Sequence, residues 1–441
     1  MPTSHSRTIR GIATAILAAM ALPALAADDA EIRAQIDQLR AQQAEIARLQ
    51  RDNEAALRAL EARLGVAGVA PATPPATVAS ATPSPAAQSA PASASTAAAP
   101  AASRLKLSGD LRVRAQHDTS DSDRPNRSSA QLRARLGASW RVNDLVSIGA
   151  HLVTGDGDDP NSVDVQLSNW DDDLAVSLDQ AWLQLNFGDL KLFGGKMPQP
   201  FARTELVWDG DVNPQGIAAT WRHARADGSA WRANGLFFLV DERVAGADST
   251  MLGVQLGHDT RAFGDWKFDA SLALYDYSLK SIAGADSGDW RTNLLNPDGT
   301  YLSDFRLVDA IVGATWSGLG ERWPLRLVGD VVRNTGARTD GDRGHGLDLV
   351  LGRASQVGDW RISVGHATAG VDAVLAAFSQ DNIGIATNYR LHSLGVDYVP
   401  WPNTTLSAIL YRYRPDAAAY AGSNDPHDWL NRARVSLMVG F

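Results

Sequence analysis

The last thirteen residues, Trp429 to Phe441, read WLNRARVSLMVGF. Side chains on an extended strand alternate with period two. Val435, Leu437, Val439 and Phe441 therefore share one face, and Arg432, Arg434, Ser436, Met438 and Gly440 share the other. A strand that is apolar toward one side and carries arginines on the opposite side suits a transmembrane barrel, which presents one face to lipid and one to a wet lumen. An edge strand of a soluble β-protein is the competing reading, and the rest of the chain decides between them.

Working back from this strand, runs of about 9–13 residues with alternating polarity recur sixteen times between residues 104 and 441. The first spans 104–117 and the last 429–441. The connections alternate in length. Short ones, such as Asn143-Asp144 and Ala226-Asp227-Gly228, carry the Gly, Asp and Asn that tight hairpins use. Long ones cover 118–127, 155–174, 198–214, 241–249, 280–304, 335–344, 370–384 and 415–428. Short turns at one end and long loops at the other describe an even-numbered antiparallel barrel with both ends of the sheet on the short-turn side. Trp140, Trp231, Trp266, Trp316, Trp323, Trp360 and Trp401, with Phe187 and Phe441, cluster at the short turns. That is where an interfacial aromatic girdle belongs. No run of eighteen apolar residues follows residue 103, so the expected spans are strands.

Upstream, residues 1–26 read as a secretory signal peptide, with Arg7 and Arg10 before an apolar core and Ala24-Leu25-Ala26 at the cleavage site. Residues 27–64 predict an α-helical coiled coil in the periplasm. Ile32, Leu39, Ile46, Asn53 and Leu60 form one heptad series, and Ile36, Gln43, Gln50, Leu57 and Leu64 form the other. Amides at three of these positions restrict register and oligomer state. Residues 65–103 are Ala, Pro, Ser and Thr almost throughout and predict an extended linker. Residues 104–441 form the barrel. The fold class is thus all-β, a transmembrane antiparallel barrel of about 16 strands behind a coiled coil. Cysteine is absent, which excludes disulfides and thiolate chemistry.

Arginines collect on the expected lumen face. Arg112 and Arg114 on the first strand, Arg133 and Arg135 on the second, and Arg432 and Arg434 on the last are all pore-lining candidates. Closure of a barrel makes these three strands neighbours, so the six form one basic wall. Facing lipid at the midplane, each would cost about 2–4 kcal/mol. Carboxylates concentrate instead in the long loops, with Asp156, Asp158, Asp159, Asp171, Asp172 and Asp173 in one of them. Asp156-Gly157-Asp158 does not begin an EF-hand, because Asn161 and Leu167 stand where glycine and glutamate are needed. The third long loop, 198–214, predicts a constriction in which Arg203, Glu205, Asp209 and Asp211 face the arginine wall and Trp208 adds an apolar contact.

At this loop the chain resembles a family. Gly195-Lys196-Met197-Pro198-Gln199-Pro200-Phe201, followed by Leu206-Val207-Trp208-Asp209-Gly210-Asp211-Val212-Asn213-Pro214-Gln215-Gly216, is similar to the signature of the proteobacterial putative porin family. Gln215 departs from the glutamate of that pattern. The resemblance covers mainly residues 190–220. It implies a porin fold in the Gram-negative outer membrane, and a third external loop that folds inward as in general porins. A coiled coil ahead of a barrel also resembles the arrangement of sucrose porins.

The expected function is passive diffusion of small hydrophilic solutes, leaning toward anions through the arginine-lined lumen. A sugar channel with Tyr275, Tyr277, Tyr411 and Tyr413 as an aromatic track is the alternative, as is an envelope tether acting through the coiled coil. The resemblance and the heptads together predict a homotrimer. Expected partners are the lipid bilayer, lipopolysaccharide and small solutes, with peptidoglycan or a periplasmic protein for the coiled coil. No nucleic-acid partner, cofactor or metal is expected. The histidines show no HExxH spacing and there is no GxSxG, so no catalytic residue is assigned.

Overall fold

A computed structural model describes residues 104–122, 124–155, 162–168, 174–244, 246–280, 293–422 and 424–441. The expected signal peptide, coiled coil and linker lie outside the described residues, as do the six aspartates from Asp156 to Asp173 named above.

The described residues form one antiparallel sheet. Its first half comprises β1 (Leu105–Ser120), β2 (Arg127–Arg141), β3 (Val146–Thr154), the two-residue β4 (Val165–Gln166), β5 (Val176–Phe187), β6 (Leu190–Lys196), β7 (Gln215–Ala224), β8 (Ala230–Asp241) and β9 (Ser249–Asp259). The second half comprises β10 (Trp266–Ser278), β11 (Arg306–Trp316), β12 (Leu325–Asn334), β13 (Arg343–Gly352), β14 (Trp360–Ala369), β15 (Tyr389–Trp401), β16 (Thr404–Pro415) and β17 (Leu430–Gly440). Apart from β4, each strand pairs with the next, β3 with β5, and β17 pairs with β1. The result is a closed barrel of sixteen strands. β4 is a fragment of the second long loop that pairs with β2 beyond the end of β3.

Closure is made by the stretch quoted first. Val113 stands opposite Leu437 and Leu111 opposite Val439, apolar side outward. Gly109 and Phe441 exchange backbone hydrogen bonds, N–H of Gly109 to O of Phe441 at 3.1 Å and the reverse at 3.0 Å. A Cβ on Gly109 would lie 2.4 Å from the Phe441 ring, so only glycine leaves room for the terminal aromatic.

The two faces follow the alternation. Leu111, Val113, Leu272, Leu274, Leu394 and Leu410 are exposed on the outside, where lipid covers them. At the short-turn end Trp140, Trp231, Trp266, Trp323, Trp360 and Trp401 are exposed with Phe187 and Phe441. Trp316 stacks against Trp266 there, with centroids 6.1 Å apart. This girdle sets one membrane interface and places the long loops at the other.

The apolar core is inside the barrel. Trp208, Val332, Tyr389, Val374 and Phe378 are among its buried members. It fills the lumen against β7 to β16, where two long loops, residues 197–214 and 370–388, pack on the inward side chains of the strands. The first was expected to fold inward. The second was expected only as a long external connection, and it contributes as much of the plug.

Candidate functional site

All six wall arginines lie on the lumen face of β17, β1 and β2, largely buried, and the plug loops reach them. The register arranges them as a ladder. Arg135 is opposite Asp110, Arg133 opposite Arg112, Arg434 opposite Gln116 and Arg432 opposite Asp118. From the level of Asp110 to that of Asp118 the ladder climbs about 26 Å along β1.

The wall is interleaved with carboxylates. Arg112 and Arg114 both donate to Asp164, each at 2.6 Å. Arg133 and Arg135 reach Asp110 at 3.1 and 2.7 Å. Arg432 reaches Asp118 at 2.7 Å. Asp110 and Asp118 alternate onto the lumen face of β1 with Arg112 and Arg114, so their presence was legible in that strand. Asp164 arrives from the second long loop, held beside β2 by the short β4. Arg434 has no carboxylate within 4.0 Å among the described residues. Its Nε donates to Gln116 Oε1 at 2.8 Å, its Nη1 donates to Asn382 Oδ1 at 2.8 Å, and it lies 5.7 Å from the Tyr411 ring.

The constriction loop leaves the barrel between Gly195 and Gly216, which face each other across β6 and β7. Both have positive φ, and a Cβ on either would meet a backbone oxygen within 2.3 Å. These glycines turn the strand ends so that the segment between them enters the lumen. Gln255 on β9 then holds it: its side-chain amide accepts from Ala202 N–H and donates to Ala202 O, both at 2.8 Å. Thr204 donates to Asp330 on β12. Phe201, Phe238, Tyr275 and Tyr277 surround Trp208, whose ring is fully buried.

The other inward loop is fastened by asparagines and an aspartate. Asn293 donates to the carbonyls of Val371 and Val374 and accepts from Ala376 N–H. Asp372 accepts from Ser303 Oγ at 2.7 Å. Phe378 then stacks on Trp208, and its carbonyl accepts from Asp209 N–H at 2.8 Å.

Of the predicted constriction residues, Asp211 meets the wall, 3.5 Å from Arg135 and 4.0 Å from Arg133. Arg203 turns back onto its own loop, toward Gly210 O at 3.1 Å and Glu205 at 3.8 Å. Asp209 is buried between the two loops. Burial, then repulsion from Glu205, pushes its carboxyl up to about 9. Burial, then repulsion from Asp209, raises Asp381 well above the usual range. The second bridge to the wall is Asn382, which sequence reasoning missed: its carbonyl accepts from Arg432 at 3.1 Å and its amide oxygen from Arg434.

The proposed aromatic track is covered. Tyr275, Tyr277, Tyr411 and Tyr413 do point inward, but all four are buried against the loops. Toward the short-turn end the lumen reopens into a cavity of about 710 Å³ beneath the constriction loop. There Arg222 and Arg232 pair with Asp259, and Arg326 with Asp269.

A family model described as Putative porin matches residues 119–294. Over that stretch the chain is similar to the porins. The matched stretch contains the whole inward loop from Pro198 to Pro214. OprB of Pseudomonas putida is similar in structure, with a TM-score of 0.51 at 12% identity, over 77% of this chain and 95% of that one. The fold alone is shared at that identity. OmpF of Salmonella typhi gives a TM-score of 0.49 at 14% identity, over 76% of this chain and 97% of that one. No curated protein matches the sequence. Among the described residues no helix is long and apolar enough to cross a membrane, which leaves the strands as the elements that would span one.

Proposed function

We propose that this porin passes small hydrophilic solutes by passive diffusion between the arginine ladder and the two inward loops, and that it prefers anions. The carrying observation is the ladder. Arg112, Arg114, Arg133, Arg135, Arg432 and Arg434 follow one another along the lumen face of β17, β1 and β2, against the carboxylates of Asp110, Asp118, Asp164 and Asp211. Along the ladder the guanidiniums outnumber these carboxylates, and among the described residues Arg434 hydrogen-bonds only neutral groups. Rings of positive side chains at close quarters select anions through the local field. Asp211, on the inward loop 197–214, faces Arg133 and Arg135 and sets a transverse field across the constriction, with Glu205 and Asp209 behind it on the same loop. Trp208 anchors the inward loops.

Selectivity is read from reversal potentials in planar bilayers under a salt gradient. The wild type is expected to favour chloride. Arg114→Gln with Arg434→Gln is expected to lower the chloride-to-potassium permeability ratio by about twofold or more. An unchanged ratio would remove the ladder from function.

A homotrimer is part of the same proposal, supported by the heptads over residues 27–64 and by the family match. A heat-labile band near three times the monomer mass on semi-native gels is expected. A band at monomer mass before and after heating would overturn it.

A further inference from the structure

The inner face of the barrel carries a second cationic surface at the short-turn end, built by register from β1, β2, β3, β5 and β6. Lys106, Ser139, Gly149, Trp182 and Gly195 stand side by side in one row. The next row toward the turns holds Arg104, Arg141, Ser147, Gln184 and Phe193. Asn186 and Lys191 pair in the row beyond. Members of these rows line a cavity of about 440 Å³. Lys106 precedes Asp110 by four residues on β1, so the cavity sits about 13 Å from the foot of the arginine ladder.

Trp182 belongs to this wall and not to the outward girdle. Its ring faces the lumen and packs edge-to-face on Phe193, with centroids 5.8 Å apart. A Cβ on Gly149 would lie 2.2 Å from the indole, so the ring crosses β3 at a position where glycine leaves room for it. The indole stays partly exposed and lines the cavity. The amides beside it are anchored. Gln184 donates to Asn186, which donates to Leu145 O at 3.2 Å and to Ser147 Oγ at 3.4 Å. Gln184 Oε1 and the Ser139 hydroxyl keep no partner among the described residues. The cations are unpaired as well. Arg104, Lys106, Arg141 and Lys191 have no carboxylate within 4.0 Å among the described residues, whereas Arg222, Arg232 and Arg326 at the same end are paired. Asp144, at the turn between β2 and β3, is the carboxylate that lines the cavity. Four positive groups around one carboxylate leave a positive field, and the concave wall focuses it.

We propose that this cavity binds a phosphorylated monosaccharide, with the sugar ring on Trp182 and the phosphate held by Lys106, Arg141 and Lys191. An aromatic surface with a few placed polar groups is the general make-up of a small-molecule site. The apolar C–H face of a pyranose packs on the indole, and its hydroxyls meet Gln184 and Ser139. A phosphate monoester carries about −1.5 to −2 charges at neutral pH, which suits several converging cations better than a singly charged carboxylate does. The proposal rests on the reading of the lumen as a solute path and names a solute class for it. It uses none of the six ladder arginines.

The test is calorimetric titration of the full-length protein in detergent with glucose 6-phosphate, glucose and inorganic phosphate. Glucose 6-phosphate is expected to bind wild type about tenfold or more tightly than either of the others. Trp182→Ala is expected to weaken glucose 6-phosphate about tenfold while leaving inorganic phosphate unchanged. Lys106→Gln with Lys191→Gln is expected to weaken both anions about tenfold or more. No binding of glucose 6-phosphate would overturn the proposal. Inorganic phosphate binding as tightly would make this a plain anion surface, and glucose binding as tightly would make the cations irrelevant; either result overturns it. A folded variant of either kind that binds glucose 6-phosphate like wild type would put the ligand elsewhere and overturn it too. The three wild-type titrations decide even where a variant does not fold. Binding in detergent needs no conduction. A protein that conducts without binding therefore fails this proposal alone, and one that binds without conducting fails the diffusion reading alone.

Discussion

The indole of Trp208 stacks on the ring of Phe378, with centroids 5.8 Å apart and planes 21° from parallel. One residue comes from the loop after β6 and the other from the loop after β14, on opposite parts of the barrel circumference. Their contact joins two separate loops into a single plug. The Asp209 N–H to Phe378 O bond fixes the same junction.

Trp208→Ala should therefore open the channel rather than unfold the barrel. Removing a fully buried tryptophan costs about 3–5 kcal/mol of packing. That loss falls on the loops, because the strands keep their ladder bonds. Single-channel records should show higher conductance and more frequent flicker, while the heat-induced gel shift of the barrel stays within a few degrees of wild type.

A second prediction concerns Asp164. It neutralises Arg112 and Arg114 together. Asp164→Asn should free both guanidiniums toward the lumen and raise the preference for chloride. This is the opposite direction to the loss expected from the double arginine variant. Reversal potentials of the two variants that move the same way would contradict the ladder.

Alkaline pH should also change selectivity. The Asp209 carboxyl is pushed up to about 9, so it is neutral at pH 7 in the folded plug. Its ordinary value in an unfolded chain is near 4. A raised folded value means that the stabilising contribution is complete below about 4 and fades as pH climbs toward 9. Above that, a charge appears between the two loops. Between pH 8 and pH 10 the permeability ratio should shift toward cations and the open level should become noisier. Asp209→Asn should remove much of that shift.

Gly109 gives a fourth test. Any side chain there enters the space of the Phe441 ring. Gly109→Val should reduce the yield of folded barrel in membranes, measured as the heat-modifiable fraction. Gly194→Ala, at a strand glycine with open space, should not.

Much of this architecture was legible in the sequence, because a barrel wall has only two faces and period two distinguishes them. Arg112, Arg114, Arg432 and Arg434 lie on the face where alternation put them. The strand boundaries differ mainly by a few residues, as at β15, which begins at Tyr389 rather than 385. The loop from Pro198 to Pro214 was legible through its aromatic and charged content. The other inward loop was not. Its Ala373, Val374, Ala376 and Phe378 have no periodicity, and a short apolar loop gives no local sign of what it packs on. Its composition did carry a signal, since a run of buried-type residues seldom lies free in water. The pairing of Asp164 with two arginines was invisible for another reason: it joins residues about fifty positions apart through a loop whose path no alternation records.

The hydrogen bonds between Gly109 and Phe441 also set a condition on biogenesis. The first strand has no partner on one edge until the last residue of the chain is in place. Every other neighbouring pair of long strands is close in sequence and can form as a hairpin, but this pair must wait for the full circuit. An unsatisfied edge in hydrocarbon is costly, so the β1 edge needs shelter until the final strand arrives. Loss of the last few residues would therefore leave an open, edge-exposed sheet competent to pair with another chain, and the failure would appear as aggregation before any conductance could be measured.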